Sequence, residues 1–334
     1  MKFTNSCLAG LSYTICALAR PLERANNTTN ASSLRDVASV GYATMNGGTS
    51  GGKAGAVINV ASTAALEKAC AQAGPAIIVV SGKISSPAKI RVSSNKSIIG
   101  KDSQAELAGV GLLVLKQKNV IIRNLKIHHV QAKNGDAITI QASTNVWVDH
   151  VDLSSDKTHG KDYYDGLIDM THGSDYVTIS NSRIHDHYKA SLVGHSEKNV
   201  EEDRGKLHVT YAYNYWENIN SRAPSLRFGS AHIFDSVFVN VNDGINVRKG
   251  AQVLVENDAF VGSSKPLYTV DATGSAVERD NDFGASDMTA FKAGKVKSDL
   301  KTGSFKSAPY KYTLQSTEEM KKTLPKTAGN TLSF

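Results

Sequence analysis

Apolar residues fall in short alternating runs along most of the chain, four to six residues at a time, and helical patterning is confined to one convincing stretch near the start and a short charged one near the end. The strands Ala56 to Val60 and Ala76 to Val80 bracket a predicted helix from Thr63 to Ala73, with Ser62 as its cap and Gly74-Pro75 as its stop. From about residue 96 the runs repeat. The segment from Lys118 to Ile127 resembles Thr144 to Leu153, and both resemble Asp175 to Ile184, with looser copies near Leu207, Ala231 and Ala251. Their anchoring apolar residues read as Val120, Val146, Val177, Val209, Ile233 and Val253, with separations of 26, 31, 32, 24 and 20 residues.

Repeats of this length without helices mean stacked β coils or propeller blades, and a blade needs four strands and roughly 40 residues. The pattern therefore predicts an all-β, single-stranded, right-handed parallel β-helix: a solenoid with one short N-terminal capping helix and loop insertions on its longer coils. Asn124, Asn181, Asn214 and Asn257 recur at or one place off one repeat position, with His150 standing in once. Stacked coils would set these above one another in an amide ladder, a structural role. Ser316 to Lys326 reads as a short charged helix, a solvated terminal cap.

Composition narrows the setting. The 334 residues are 40% hydrophobic and 21% charged, which excludes disorder as the main state. No apolar run reaches the roughly 18 residues of a membrane span. The net charge of +7 is diffuse and favours a polyanionic partner. Lys2, an apolar stretch from Cys7 to Ala19, and the small-x-small step Ala17-Leu18-Ala19 read as a secretory signal over residues 1–19. Residues 20–36 then form a polar lead-in or pro-segment, and 37–334 one β-helix domain. Glycosylation sequons stand at Asn26, Asn27, Asn30 and Asn95. Without the signal Cys70 is alone, so no intrachain disulfide forms and stability must come from a large regular core.

The longest coils carry the candidate chemistry. Asp136 precedes a strand in Asn134-Gly135-Asp136-Ala137, and Asp165 and Asp169 follow one coil on. Clustered carboxylates repel unless a cation intervenes, and hard divalent cations take such oxygens. In an extended strand Asp165 and Asp169 stand about 13 Å apart, so Gly166 must bend the chain or the two serve different ions. Solvated turn carboxylates are the plain alternative. Lys189 comes a coil later, then Arg222 and Arg227, with Pro224 forcing a turn between them. Alternation points Arg227 outward and Leu226 and Phe228 into the core. A mutual ion-pair network is the plain reading of these three cations.

Val146-Trp147-Val148-Asp149-His150, the run Asp165 to Asp169, Lys189, and the run Arg222 to Arg227 together resemble the motifs of the family 1 pectate lyases, most of all their secreted fungal branch. The resemblance spans about Val37 to Val261. It implies the parallel β-helix and calcium-dependent β-elimination in polygalacturonate. By position it implies Asp136, Asp165 and Asp169 as Ca²⁺ ligands, Arg222 as the base, and Lys189 and Arg227 as the residues that bind the substrate carboxylate. Position 134 is Asn where several bacterial members carry an acid. The three intact acids favour pectate over methylated pectin. A pectin lyase, a polygalacturonan hydrolase on the same fold and a non-catalytic glycan-binding β-helix are the alternatives. A secreted monomer is expected, acting on polygalacturonate or low-ester pectin, with no nucleic-acid or membrane partner.

Three features read as decoys. Gly47 to Ala54 nearly spells a phosphate loop, but Ala54 replaces Ser or Thr and a strand follows instead of a helix. The histidines at 150, 185 and 187 suggest a triad or zinc site without the nucleophile elbow or face pattern either needs. Trp147 reads as packing; Tyr163 and Tyr164, on an insertion, are better placed to meet substrate.

Overall fold

The computed structural model describes residues 32–284 and 300–334. The expected signal at 1–19, most of the lead-in, and the sequons at Asn26, Asn27 and Asn30 lie outside those residues. From Ala56 onward the chain coils through three parallel sheets of 11, 8 and 8 strands. Neighbours in each sheet are strands from successive coils, so Val120 pairs with Val146, Val146 with Val177 and Val177 with Val209. This is the parallel β-helix that the repeat predicts.

The anchor series departs from expectation in its last coils. Val209 pairs with Ala231, and Ala231 with Val253, while Ile233 pairs with Tyr211 and Val255. Ala231 and Ile233 both point into the core. With two inward residues in one short strand, pattern alone leaves the register open by two places.

One column of the interior is aliphatic at the N-terminal end, running Ile84, Leu107, Ile127, Leu153 and Ile184 through successive coils. It then turns aromatic: Trp216 stacks on Phe238 (5.7 Å, 8°), Phe238 on Phe260 (4.5 Å, 10°) and Phe260 on Phe283 (5.3 Å, 20°). The N-terminal helix spans Thr63–Ala71, its Ser62 Oγ accepting from Ala65 N, and buries Leu66, Ala69 and Cys70 against the first coils. Leu34 packs near Ile77, Val79 and Ile99, and Asp36 pairs with Arg123 at 2.7 Å.

The recurring asparagines have a backbone cause. Asn124, His150, Asn181, Asp235 and Asn257 follow strands of the 11-stranded sheet with φ between 49° and 58°. Asn and Asp tolerate this left-handed region better than other residues bearing a Cβ. Their amides do not form one continuous ladder: Asn124 donates to Gly100 O, Asn181 to Asp149 Oδ1 and Asn257 to Asp235 Oδ1. A ladder does form one residue later. Ser182 N donates to Asn214 Oδ1, Asn214 N to Ser236 Oγ, Ser236 N to Asp258 Oδ1 and Asp258 N to Asn281 Oδ1, at 2.7–3.2 Å.

The charged C-terminal stretch is not an end cap. Its helix, Thr317–Thr327, lays Met320 and Leu324 on Tyr215, Val237 and Ala259, along the flank of the solenoid. The chain then reaches the early coils, where Leu332 N donates to Asn124 Oδ1 and Phe334 N to Lys101 O.

One rung of the ladder is electrostatically frustrated. Asp258 is fully buried, and among the described residues its Oδ2 has no partner. Burial, with the nearby charges of Asp235 and Glu256, pushes its carboxyl well above the usual range. A carboxyl raised on folding binds its proton more tightly in the native state, so stability falls as pH climbs above about 4, the unfolded value. Asp258→Asn keeps the rung and removes the charge. Its melting temperature should exceed the parent's by about 2–4 °C at pH 8 and show no such gain at pH 4; an equal gain at both pH values would refute the buried-charge account.

Candidate active site

The corner between the two eight-stranded sheets gathers the candidate residues from four successive coils. Ile138 pairs with Ile168, which sets Asp136 beside Gly166 just ahead of the two strands. Gly166 N donates to Asp136 Oδ1 at 2.8 Å, and Thr139 Oγ1 to Asp136 Oδ2 at 2.8 Å. Asp169 lies within Ile168–Thr171, whose Ile168 and Met170 face the core, so alternation turns the carboxylate outward. Its Oδ1 accepts from Leu192 N at 3.0 Å.

Gly166 is what lets these two acids meet. A Cβ there would lie 2.6 Å from Asp169 Oδ1 and 2.8 Å from Asp136 Oδ1, so the two oxygens are at most 5.4 Å apart. Both side chains are buried. Burial pushes both carboxyls up; for Asp169 the charge of Asp136 adds to it and Arg222 opposes it, while Asp165 raises Asp136 further.

Asp165 takes a different direction. Its Oδ1 accepts from Lys189 Nζ at 3.2 Å, and the same ammonium donates to Asp162 Oδ1 at 3.0 Å. Among the described residues no three His, Cys, Asp or Glu side chains converge on one metal position. The expected trio is thus a buried pair, Asp136 with Asp169, and a third acid turned onto Lys189.

Lys189 ends the strand Arg183–Lys189 and pairs with Ser221, which puts Arg222 just beyond it on the next coil. Arg222 has φ 63°, and its carbonyl accepts from Ser191 N at 2.8 Å. Among the described residues no side chain hydrogen-bonds its guanidinium. The turn that follows holds a cis Ala223-Pro224 bond. Arg227 ends Ser225–Arg227; its Nη1 donates to Gly194 O at 2.8 Å and its Nε is buried without a described partner. Burial and the charge of Arg248 lower its pKa. Leu226 enters the core as expected, but Phe228 does not: at φ 62° it leaves the strand alternation and stays half-buried.

His187 is a supporting residue that the sequence does not reveal. It is 1% exposed, with Nε2 2.6 Å from Asp165 O and Nδ1 against Ser155 Oγ. Burial depresses it to about 4, so it is neutral. A carbonyl can only accept, so Nε2 carries the proton and Nδ1 accepts from the serine. Alternation from the core-facing Ile184 would turn it outward; Asp186, at φ 49°, breaks that alternation and buries His187 instead.

The other histidines serve the scaffold: His150 Nδ1 meets Asp149 Oδ2 at 2.7 Å, and His185 bridges Asp152 and Asp186. Trp147 packs on Ala43 and Ile121 and donates to Ser180 Oγ. Tyr163 is exposed, stacked on His159 at 4.0 Å, whereas Tyr164 is buried with its hydroxyl on Asp156. The glycine-rich loop spends its N–H groups internally, those of Ser50 and Gly51 on Asn119 Oδ1 and that of Gly52 on Ser97 Oγ.

Known proteins share this architecture and sequence. The pectate lyase family profile matches residues 11–332. The probable pectate lyase A of Aspergillus fumigatus is 55% identical over 336 residues, covering all of both chains. Pectate lyase A of Emericella nidulans is 51% identical over 339 residues, again across both chains. Among solved structures, the pectate lyase of Bacillus sp. N165 in complex with trigalacturonate superposes with a TM-score of 0.76 at 31% identity, covering 87% of this chain and 98% of that one. Pectate lyase C from Erwinia chrysanthemi, at pH 9.5 with 30 mM Ca²⁺, gives 0.74 at 25% identity, covering 88% and 96%. With the family profile across nearly the whole chain and relatives more than half identical end to end, the chain belongs to the pectate lyase family.

Proposed function

We propose that this pectate lyase cleaves (1→4)-α-D-galacturonan by calcium-dependent β-elimination, leaving oligosaccharides with unsaturated galacturonosyl non-reducing ends. The observation that carries this reading is the Asp136–Asp169 pair across Gly166. Oxygens bound to one Ca²⁺ at 2.3–2.6 Å stand at most about 5 Å apart, and these two are already within 5.4 Å. Two carboxylates each pushed up by burial and by a neighbouring acid, Asp136 for Asp169 and Asp165 for Asp136, are a site that a divalent cation relieves. Asp165 would complete the set by leaving Lys189. Bound there, Ca²⁺ supplies positive charge that draws in the uronate carboxylate and acidifies the proton α to it.

The chain's own residues do the rest. Lys189 and Arg227 would hold the substrate carboxylate and stabilise the charge that grows on it as the C5–H bond breaks. Arg222 would take the C5 proton; the electron pair becomes the C4–C5 double bond, the C4–O bond breaks, and the leaving oxygen is protonated. No water is consumed. A guanidine must be neutral to accept a proton; the unpartnered Arg222 side chain is free to approach substrate, which suits a base or a clamp. A hydrolase needs carboxylates flanking the bond. Here the pair shares one niche, and the three cations would be without a task. The same reading makes the protein a secreted, monomeric glycoprotein with a signal over residues 1–19 and a β-helix domain from 37 onward. Among the described residues no helix is long and apolar enough to cross a membrane.

The direct test is ultraviolet absorbance during incubation with polygalacturonate. A rising unsaturated-uronide signal, abolished by a chelator and restored by Ca²⁺, is the expected result; new reducing ends without absorbance would mean hydrolysis. Gly166→Ala should push the two carboxylates apart. Calorimetry is expected to show Ca²⁺ affinity at least roughly tenfold weaker, with the chelator-treated melting temperature little changed; native affinity in that variant would remove the pair from the site. Arg222→Lys keeps the charge and alters the base. A fall in kcat of about 100-fold or more with a similar KM supports proton abstraction, and a fall under about tenfold leaves Arg222 as an electrostatic clamp.

A further inference from the structure

Lys189 is already engaged by carboxylates of the protein itself. The insertion 155–165 brings Asp162 Oδ1 to 3.0 Å from Nζ, beside Asp165 Oδ1 at 3.2 Å. The two acids differ in setting. Asp162 has a side chain 73% exposed, against 48% for Asp165 and 16% for Lys189. The ammonium is thus shared by two acids, of which Asp162 is the more open to the solvent from which a polysaccharide must arrive.

The position of Asp162 is built. Its loop is fastened to the preceding coil by Ala132 N donating to Tyr163 O at 3.0 Å and Gln131 Nε2 to Tyr163 Oη at 2.8 Å. It is fastened to its own base by Tyr164 Oη donating to Asp156 Oδ2 at 2.8 Å. On the other side Tyr188 Oη, next to Lys189, donates to Lys157 O at 3.2 Å. Tyrosines immediately beside both partners of the ion pair are therefore pinned.

We propose that Asp162 is a resident competitor for the substrate carboxylate at Lys189, an anion that substrate displaces on binding and that recaptures the lysine when product leaves. The inference rests on the reading of Lys189 as the lysine that binds the uronate. The exchange swaps one carboxylate for another at a single ammonium, so Lys189 is paired before and after and only the displaced Asp162 passes to solvent. An exposed pair is screened by water and salt, and its displaced acid is rehydrated at once. In the calcium-free protein Asp165 remains on Lys189 during the exchange and keeps the lysine stem aimed; once Asp165 has left for the cation, Asp162 is the carboxylate that still holds the ammonium. Occupied in this way, Lys189 holds its binding conformation in the free enzyme, and product carboxylates face an internal rival that is always at hand.

The test measures trigalacturonate binding by calorimetry in a chelator, and product inhibition in the working enzyme, for Asp162→Asn, Asp162→Glu and Lys189→Gln. Asp162→Asn should bind trigalacturonate roughly three- to tenfold more tightly and suffer stronger product inhibition. Asp162→Glu, which keeps the rival charge, should return both values to within about twofold of the parent. Unchanged or weaker binding by Asp162→Asn overturns the inference, as does a loss of Ca²⁺ affinity in that variant. Native binding by Lys189→Gln would instead sink the underlying role of Lys189. Weakened binding by Lys189→Gln together with unchanged binding by Asp162→Asn would sink the competitor alone.

Discussion

In-register hydrogen bonding between successive coils is the constraint on which the rest of the molecule depends. Each strand between the two ends of its sheet is paired above and below, so a residue's height along the solenoid is set by its coil and its direction by alternation. Extra residues cannot be absorbed inside such a stack and must leave it at a corner. The segment between Ser154 and Ile168 is one such exit, and it carries Asp162 and Asp165. The scaffold therefore fixes the strand-borne groups rigidly, Asp169 and Lys189 among them, while the groups on exits keep freedom to change partner. The proposed cation site would draw on that division, with Asp136 and Asp169 held by register and Asp165 on the exit.

Stiffness also explains how like charges come to be held together. Asp136 and Asp169 are adjacent because Ile138 and Ile168 are paired, and neither can retreat without breaking register. A looser fold would relieve the repulsion by a backbone shift. Here the strain stays in the proton affinity of both groups, raised by burial and by neighbouring acids. A cation bound as proposed would find that repulsion already stored in the free protein by packing remote from it.

The repeat was the most legible feature in the sequence because stacking imposes like residues at like heights. Val120, Val146, Val177 and Val209 announce the fold and turn out to be register partners. Where a coil shortens, the signal blurs: Ile233 is the larger residue, but Ala231 holds the register with Val209 and Val253. The asparagines were visible for a reason other than the one first apparent: a corner that needs positive φ selects Asn as strongly as a ladder would, and composition cannot separate the two. The true ladder mixes Ser, Asn and Asp, all able to accept from a backbone N–H, so no single letter marks it.

The site divides along the same line. Spacing singled out Asp136, Asp165 and Asp169 as acids a cation could share, while Lys189, Arg222 and Arg227 read from chemistry alone as ion-pair partners and took their proposed roles from the family resemblance. What the sequence lacked was contact. Asp162 is one more acid in a polar insertion until its loop is folded onto the preceding coil, and Phe228 belongs to the core until its backbone turns left-handed. His187 is the clearest instance: among several histidines it alone ends as a buried neutral donor to the carbonyl of Asp165, and only the fold distinguishes it from its neighbour at 185. A side chain that acts by holding another residue's backbone leaves no pattern of its own. Its position is set by two coils at once, and that relation exists only after they stack.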